Sequence, residues 1–274
     1  MYNDYWQLAT KPFESTSETQ FFYQGEAQQA VLNKLRYAVD SRRGAILLAG
    51  PPGVGKTLLT QQLRGQLNET FGPFVHIVFP LMSSRDFLVY LAEELGAPAG
   101  DPPQLTIEES LRRLEFFFDE NARAGKHAVV VVDEAHLLED SGLLETLRLL
   151  LNFHRQGQPL FTLLLQGQLP ILAAMQRNAS LDERLDMKVL LKPFATEETS
   201  SYIKHRLQAA EATRNIFSPA AIDLVHHLSQ GIPRKINRLC DLALVVGCAA
   251  GQHTVEPEHV QSVYDELVTV SAAA

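Results

Sequence analysis

The sequence predicts an α/β fold: a doubly wound, parallel, five-stranded sheet followed by a small all-helical domain. Three observations carry this. Short runs that are apolar on both faces alternate with helix-patterned stretches through residues 44–191. A glycine-spaced loop, Ala49-Gly50-Pro51-Pro52-Gly53-Val54-Gly55-Lys56-Thr57, stands between the first such run and a helix-like stretch. Beyond Lys192-Pro193 the strand signals stop and only helical patterning follows. The expected divisions are an N-terminal segment with its helix over 1–43, a sheet domain over 44–194 and a helical domain over 195–274.

The elements follow in order. Residues 26–41 place Ala27, Ala30, Val31, Leu35 and Ala38 at the spacing of an amphipathic helix. Gly44 restarts the chain as the strand Ala45-Ile46-Leu47-Leu48, and the glycine loop and its helix come next. The short β-branched run 75–79 (VHIVF) reads as a buried strand. Residues 106–123 open with Thr106 and Glu109 at capping-box spacing and carry Ile107, Leu111, Leu114 and Phe118 on one stripe. Phe116 and Phe117 fall partly off that stripe and read as packing under a neighbouring loop before they read as a partner surface. The all-apolar run 128–132 (AVVVV) suits a central parallel strand covered on both faces; 161–166 repeats the character and 187–191 does so more weakly. Helices are expected over 196–210, 218–229, 233–248 and 256–268, with Ser218-Pro219 and Glu256-Pro257-Glu258 as starts.

Composition sets limits. The 274 residues are 46% hydrophobic and 20% charged, ordinary for a globular chain, and the net charge of -8 argues against a protein whose main task is coating DNA. Cys240 and Cys248 lie eight apart on an expected helix and are read as free thiols. The nine histidines show no ligand spacing, so no metal-binding cluster of histidines is expected. The opening residues MYNDYWQLATKPFEST lack a basic start before an apolar stretch, and no window reaches 18 apolar residues. The expectation is a cytoplasmic protein.

Gly50-x-x-x-x-Gly55-Lys56-Thr57 is the pattern of a phosphate-cradling loop. The glycines let successive backbone N–H groups turn toward phosphate oxygens, Lys56 neutralises their charge, the Thr57 hydroxyl ligates Mg²⁺, and the following helix adds its positive end. The candidate phosphate contacts are Gly50, Pro51, Pro52, Gly53, Val54, Gly55, Lys56, Thr57 and Leu58. Asp133-Glu134 follows the all-valine strand; Asp133 is the candidate second metal partner and Glu134 the candidate base that polarises water. The pair separates hydrolysis of ATP from mere binding.

The stretch Asp133-Glu134-Ala135-His136 also invites a helicase reading. That reading needs a second nucleotide-gripping sheet domain, which the helical residues after 192 cannot supply. His136 is read as structural. Two arginines are candidates for the γ-phosphate: Arg184, just before the last strand, and Arg234, in Gly231-Ile232-Pro233-Arg234 at a helix start. Simple surface pairing with Asp182 or Asp241 is the alternative for each. Gln168, or less favourably Gln166, is the candidate for positioning water.

Together these residues resemble the AAA+ ATPases, and in detail the general secretion pathway protein A family with its pilus-biogenesis relatives. The likeness runs from Met1 to about residue 268. It rests on Met1-Tyr2 with Tyr5-Trp6, Leu8 and Pro12-Phe13, on the phosphate loop, on VVVVDEAH, on Leu165-Gln166-Gly167-Gln168-Leu169, and on SQGIPRKINRLCDLAL at 229–244. The resemblance implies that the helical domain is a lid, with Arg234 its sensor arginine. It puts Gln168 at the first sensor position, Arg184 at the finger given to a neighbouring subunit, and Phe22-Tyr23 beside the adenine. It implies ATP and Mg²⁺ as cofactors, self-association into a ring or nucleotide-dependent oligomer, and a secretion or pilus membrane protein as partner, reached from the cytoplasm without insertion. The transposition-regulator and origin-recognition ATPases share this core; Arg234, Lys235, Arg238 and Arg42-Arg43 are the support for such a DNA-associated role.

Overall fold

The computed structural model describes residues 2–14, 21–97, 106–139 and 141–272, excluding the side chains of 270–272. Met1 and the last two residues of the small-residue tail, Ala273 and Ala274, lie outside the described residues. In chain order the first elements are α1 (Tyr2–Trp6), α2 (Glu26–Asp40), β1 (Ala45–Ala49), α3 (Lys56–Gln66), β2 (Phe74–Ile77), α4 (Ser84–Glu94), α5 (Ile107–Arg123) and β3 (Ala128–Val132). They continue with α6 (Leu143–Leu150), β4 (Phe161–Gly167), α7 (Pro170–Arg177), α8 (Ala179–Asp182), β5 (Met187–Leu190), α9 (Thr196–Ala209), α10 (Pro219–Ser229), α11 (Pro233–Ala249) and α12 (Pro257–Ala272). The chain forms two compact units.

One unit comprises Ala30–Gly50 and Leu59–Leu191. Its sheet has the order β2-β3-β4-β1-β5, and every neighbouring pair is parallel. Strands β1, β3 and β4 are buried along their whole length, which is why they read as unbroken apolar runs. The core on one sheet face gathers Leu47, Val130 and Leu163 with Phe87, Leu114, Phe118 and Leu147 from α4, α5 and α6. Phe118 stacks on Phe161 at 4.6 Å. Helix α5 starts where expected, with Thr106 Oγ1 accepting from the Glu109 N–H. Phe117 packs against the core, whereas Phe116 is 57% exposed.

Strand β2 departs from its sequence reading. It starts one residue earlier and stops at Ile77, although Val78 and Phe79 continue the β-forming pattern. Its partner β3 ends opposite Ile77 at Val132, and the Asp133 N–H takes the Ile77 carbonyl. With no further ladder to join, Val78 and Phe79 turn outward, 61% and 68% exposed.

The other unit comprises residues up to Gln29, Pro51–Leu58 and Lys192–Ala274. Helices α9 to α12 enclose an apolar core of Ile203, Ile236, Leu244 and Val260, among others. Pro233 and Pro219 occupy the first turns of α11 and α10, and Ser218 Oγ accepts from the Ala221 N–H. The N-terminal segment is part of this core. Trp6 is fully buried and donates Nε1–H to the Leu244 carbonyl, and the Tyr2 hydroxyl donates to Asp241. Arg206 is buried as well; it donates to the carbonyls of Pro12 and Glu14 and lies 4.4 Å over the Phe21 ring. Both cysteines are free. No helix among the described residues is long and apolar enough to cross a membrane.

Candidate functional site

The phosphate loop is an inserted feature of the helical unit, entered from the end of the fully buried β1 and left through the first turn of α3. Gly53 and Gly55 have φ of 77° and 101°, a region that favours glycine and lets consecutive N–H groups face one concavity. Val54 between them is buried and anchors the loop. Lys56 is 7% exposed, and its ammonium donates to the Pro51 carbonyl at 3.2 Å, across the loop it closes. Thr57 is exposed. A Cβ placed on Gly55 meets no heavy atom within 4 Å, so the loop leaves an open cradle. Open cradle, ammonium and hydroxyl fit a triphosphate with its magnesium ion, Lys56 and Thr57 being the residues to hold them.

The start of α11 packs onto that loop. The Arg234 N–H donates to the Gly53 carbonyl at 3.2 Å, and a Cβ on Gly53 would stand 2.8 Å from the Arg234 Cβ and 3.4 Å from Ile232 Cγ2. Gly231, at φ 69°, admits the turn into α11, where any side chain would collide with the Phe194 carbonyl. Phe194 in turn donates its N–H to the Gly231 carbonyl and meets Tyr23 edge-on at 5.6 Å. Tyr23 also meets Tyr202 at 5.8 Å, and Phe22 is buried. The expected sensor arginine and Tyr23, one of the two expected adenine residues, thus belong to one packed set with the loop.

The carboxylates lie in the sheet unit. Asp133 is 4% exposed, its Oδ1 accepts from the Glu134 N–H, and His76 Nε2 of β2 stands 3.5 Å from its Oδ2. Glu134 takes a left-handed backbone conformation, φ 49°, before a short 3₁₀ turn over Ala135–Leu138. A non-glycine residue held there costs on the order of 1 kcal/mol. The turn aims Glu134 differently from the strand alternation, and its Oε2 lies 3.3 Å from His136 Nδ1. That same Nδ1 faces the Gln168 N–H at 3.4 Å. A Cβ on Gly167 would stand 3.1 Å from His136 N, so the end of β4 lies directly against His136.

Gln166 and Gln168 separate clearly. Gln166 is fully buried and its Oε1 accepts from Thr60 at 2.6 Å, while Gln168 is half-buried at the turn. Arg184 is exposed and donates to the Leu151 carbonyl at 3.4 Å. The surface pairings expected as alternatives for the two arginines are taken by other residues, since Asp182 is held by Lys188 and Asp241 by Tyr2. His136 was read as structural, and the sequence did not single out His76, for which the one available hint was a polar residue at a half-exposed position of a strand otherwise apolar.

A five-stranded parallel sheet in this order, with a phosphate loop after the interior strand β1 and an acidic pair after β3, defines a P-loop ATPase fold. The chain belongs to the AAA domain family, whose family-wide pattern matches residues 39–175, a span that includes the phosphate loop, Asp133-Glu134 and Gln168. It is 35% identical over 259 residues to general secretion pathway protein A of Aeromonas hydrophila, covering 93% of this chain and 46% of that protein. The chain therefore spans about half the length of that curated relative. Among solved structures, the Aeropyrum pernix ORC2 protein in its ADPNP-ADP complexes superposes with a TM-score of 0.71 at 16% identity, over 93% of this chain and 71% of that one. The Drosophila ORC bound to DNA gives 0.69 at 19% identity, over 96% and 66%. The Thermotoga maritima RuvB Holliday junction branch migration motor gives 0.56 at 17%, over 93% and 73%. At these identities the structures establish the shared fold.

Proposed function

We propose that the protein binds and hydrolyses ATP and uses the change in its helical lid, and in its assembly with further copies, to assemble or remodel a secretion or pilus-type machine. The phosphate loop, Gly50 to Leu58, holds the phosphates and Phe22 and Tyr23 flank the adenine. Thr57 and Asp133 hold Mg²⁺, which supplies positive charge to the phosphate oxygens. Glu134 accepts a proton from water as the water oxygen attacks the γ-phosphorus; the bond to the bridging oxygen breaks, leaving ADP and phosphate. Gln168 orients the water, Arg234 senses the γ-phosphate, and Arg184 reaches the nucleotide of a neighbouring copy. The work is done in the cytoplasm, against the inner membrane through a partner.

The observation that carries this reading is the hydrogen bond from Arg234 to Gly53. Loop and lid helix share it, so loss of the γ-phosphate from the loop is felt at Arg234 in the first turn of α11. The 35% identity to general secretion pathway protein A supports the secretion setting. The test is a pair of variants in calorimetry and phosphate-release assays: Lys56→Ala loses ATP binding, and Glu134→Gln binds ATP but turns it over ~100-fold or more slowly. Full turnover by Glu134→Gln overturns the base, and no binding heat from folded wild-type protein with magnesium and ATP overturns the whole reading.

A second reading, a DNA-associated ATPase switch, draws on Arg234, Lys235 and Arg238, three exposed cations at the start of α11. It requires ATPase activity that DNA stimulates and that salt suppresses steeply.

A further inference from the structure

His136 lies 3.3 Å through Nδ1 from the Glu134 carboxylate and 3.4 Å through the same atom from the Gln168 backbone N–H. Its side chain is 12% exposed, and Glu134 Oε2 has no hydrogen-bond partner of its own. The two neighbours make opposite demands on one nitrogen. A neutral imidazole with its proton on Nε2 presents a bare Nδ1, which accepts from Gln168 but meets the carboxylate lone pair to lone pair. With the proton on Nδ1, the ring donates to Glu134 and the Gln168 N–H loses its acceptor. The end of β4 lies against both backbone and ring, since a Cβ on Gly167 would stand 3.1 Å from His136 N and 3.4 Å from its Nδ1.

We infer that His136 is a positioning residue that ties the Glu134 carboxylate to the turn at Gln168, its Nδ1 serving one of them at a time. With Gln168 anchored, the carboxylate is released and free to take a proton from water. With Glu134 held by the ring, the Gln168 turn is loosened and the base is restrained. A displacement of the turn at Gln168 is thereby converted into a change in the availability of Glu134, without any contact between the two side chains. The inference rests on Glu134 being the base; it adds the element that orients that base.

The experiment uses the full chain and three readouts. His136→Ala is expected to keep its Kd for ATP within twofold of wild type while kcat falls at least tenfold. In His136→Asn, a carboxamide supplies the acceptor for Gln168 and a donor for Glu134, and at least a third of kcat is expected to return. Ring ¹⁵N shifts of histidine-labelled protein, with His136 assigned by its loss in His136→Asn, are expected to show a change of tautomer between the nucleotide-free protein and its complex with a non-hydrolysable ATP analogue. Unchanged kcat in His136→Ala, an effect confined to KM, or the same tautomer in both states overturns the inference. If Glu134→Gln is inactive while His136→Ala matches wild type, this inference alone fails; if Glu134→Gln is fully active, the base assignment fails first.

Discussion

The Arg234 N–H donates to the Gly53 carbonyl, and the two residues pack so closely that a Cβ on Gly53 would stand 2.8 Å from that of Arg234. Gly53 is therefore constrained twice, by its φ of 77° and by the start of α11. Gly53→Ala adds a backbone cost of ~1–2 kcal/mol and forces loop and helix apart. The expected outcome is a folded protein by circular dichroism whose ATP affinity in calorimetry falls at least tenfold. Wild-type affinity in Gly53→Ala would show that the loop does not depend on α11.

Arg184 presents its side chain at the surface, tied only loosely to the Leu151 carbonyl at 3.4 Å. An arginine that completes a neighbour's site is silent when protein is dilute. In wild type, ATPase activity per molecule is expected to rise with protein concentration; in Arg184→Ala that rise is lost while ATP affinity stays. Fingers of this kind contribute ~10³-fold or more to phosphoryl transfer, so a loss smaller than fivefold at high concentration would remove Arg184 from the role.

The interior strands and the phosphate loop were legible because their physics is local. A strand buried on both faces must be apolar throughout, as β1 and β3 are, and a phosphate cradle needs its glycines and lysine at fixed spacing. The outer end of β2 was not legible, since Val78 and Phe79 favour a strand and only the length of β3 denies them one. His136 was read as structural because Gln168, the partner that competes with Glu134 for its Nδ1, meets it only once β4 lies beside β3. The burial of Arg206 was equally hidden: the carbonyls that satisfy it belong to Pro12 and Glu14, more than 190 residues away. Nothing in a local window announces a cation solvated by distant backbone.

Trp6, the one tryptophan of the chain, ties the N-terminal segment to α11. Its ring is fully buried and meets Tyr5 edge-on at 5.0 Å, with Gly247 leaving room for it on α11. Trp6→Ala removes that contact area and is expected to cost ~3–5 kcal/mol, whereas Trp6→Phe keeps most of the packing and costs less. Urea titration read by far-UV circular dichroism checks the order. In wild type, tryptophan fluorescence reports on the helical unit alone, so a fluorescence transition earlier than the circular dichroism transition would show that this unit opens first.

His127 gives the sheet unit a pH dependence of defined sign. Its ring is buried, Nε2 lies 2.9 Å from Thr162 Oγ1, and the Thr162 hydroxyl donates to the Arg43 carbonyl. With its proton committed to Arg43, the hydroxyl is left to accept, so the ring is neutral with its proton on Nε2. Burial, and then the nearby positive charge of Arg42, push its pKa down to about 4. The unfolded chain takes up a proton near the ordinary histidine value of ~6.5, and the folded protein does so only near 4. Stability from this residue is thus complete above ~6.5 and is lost as pH falls toward 4, at ~1.4 kcal/mol per pH unit and ~3 kcal/mol in all. Urea midpoints measured at pH 7, 6, 5 and 4.5 are expected to fall in wild type. His127→Gln cannot take up the proton, so the part of the slope between 6.5 and 4 that wild type owes to His127 should vanish in it. Equal slopes in the two proteins would mean that the folded protein accommodates the His127 proton as readily as the unfolded chain does.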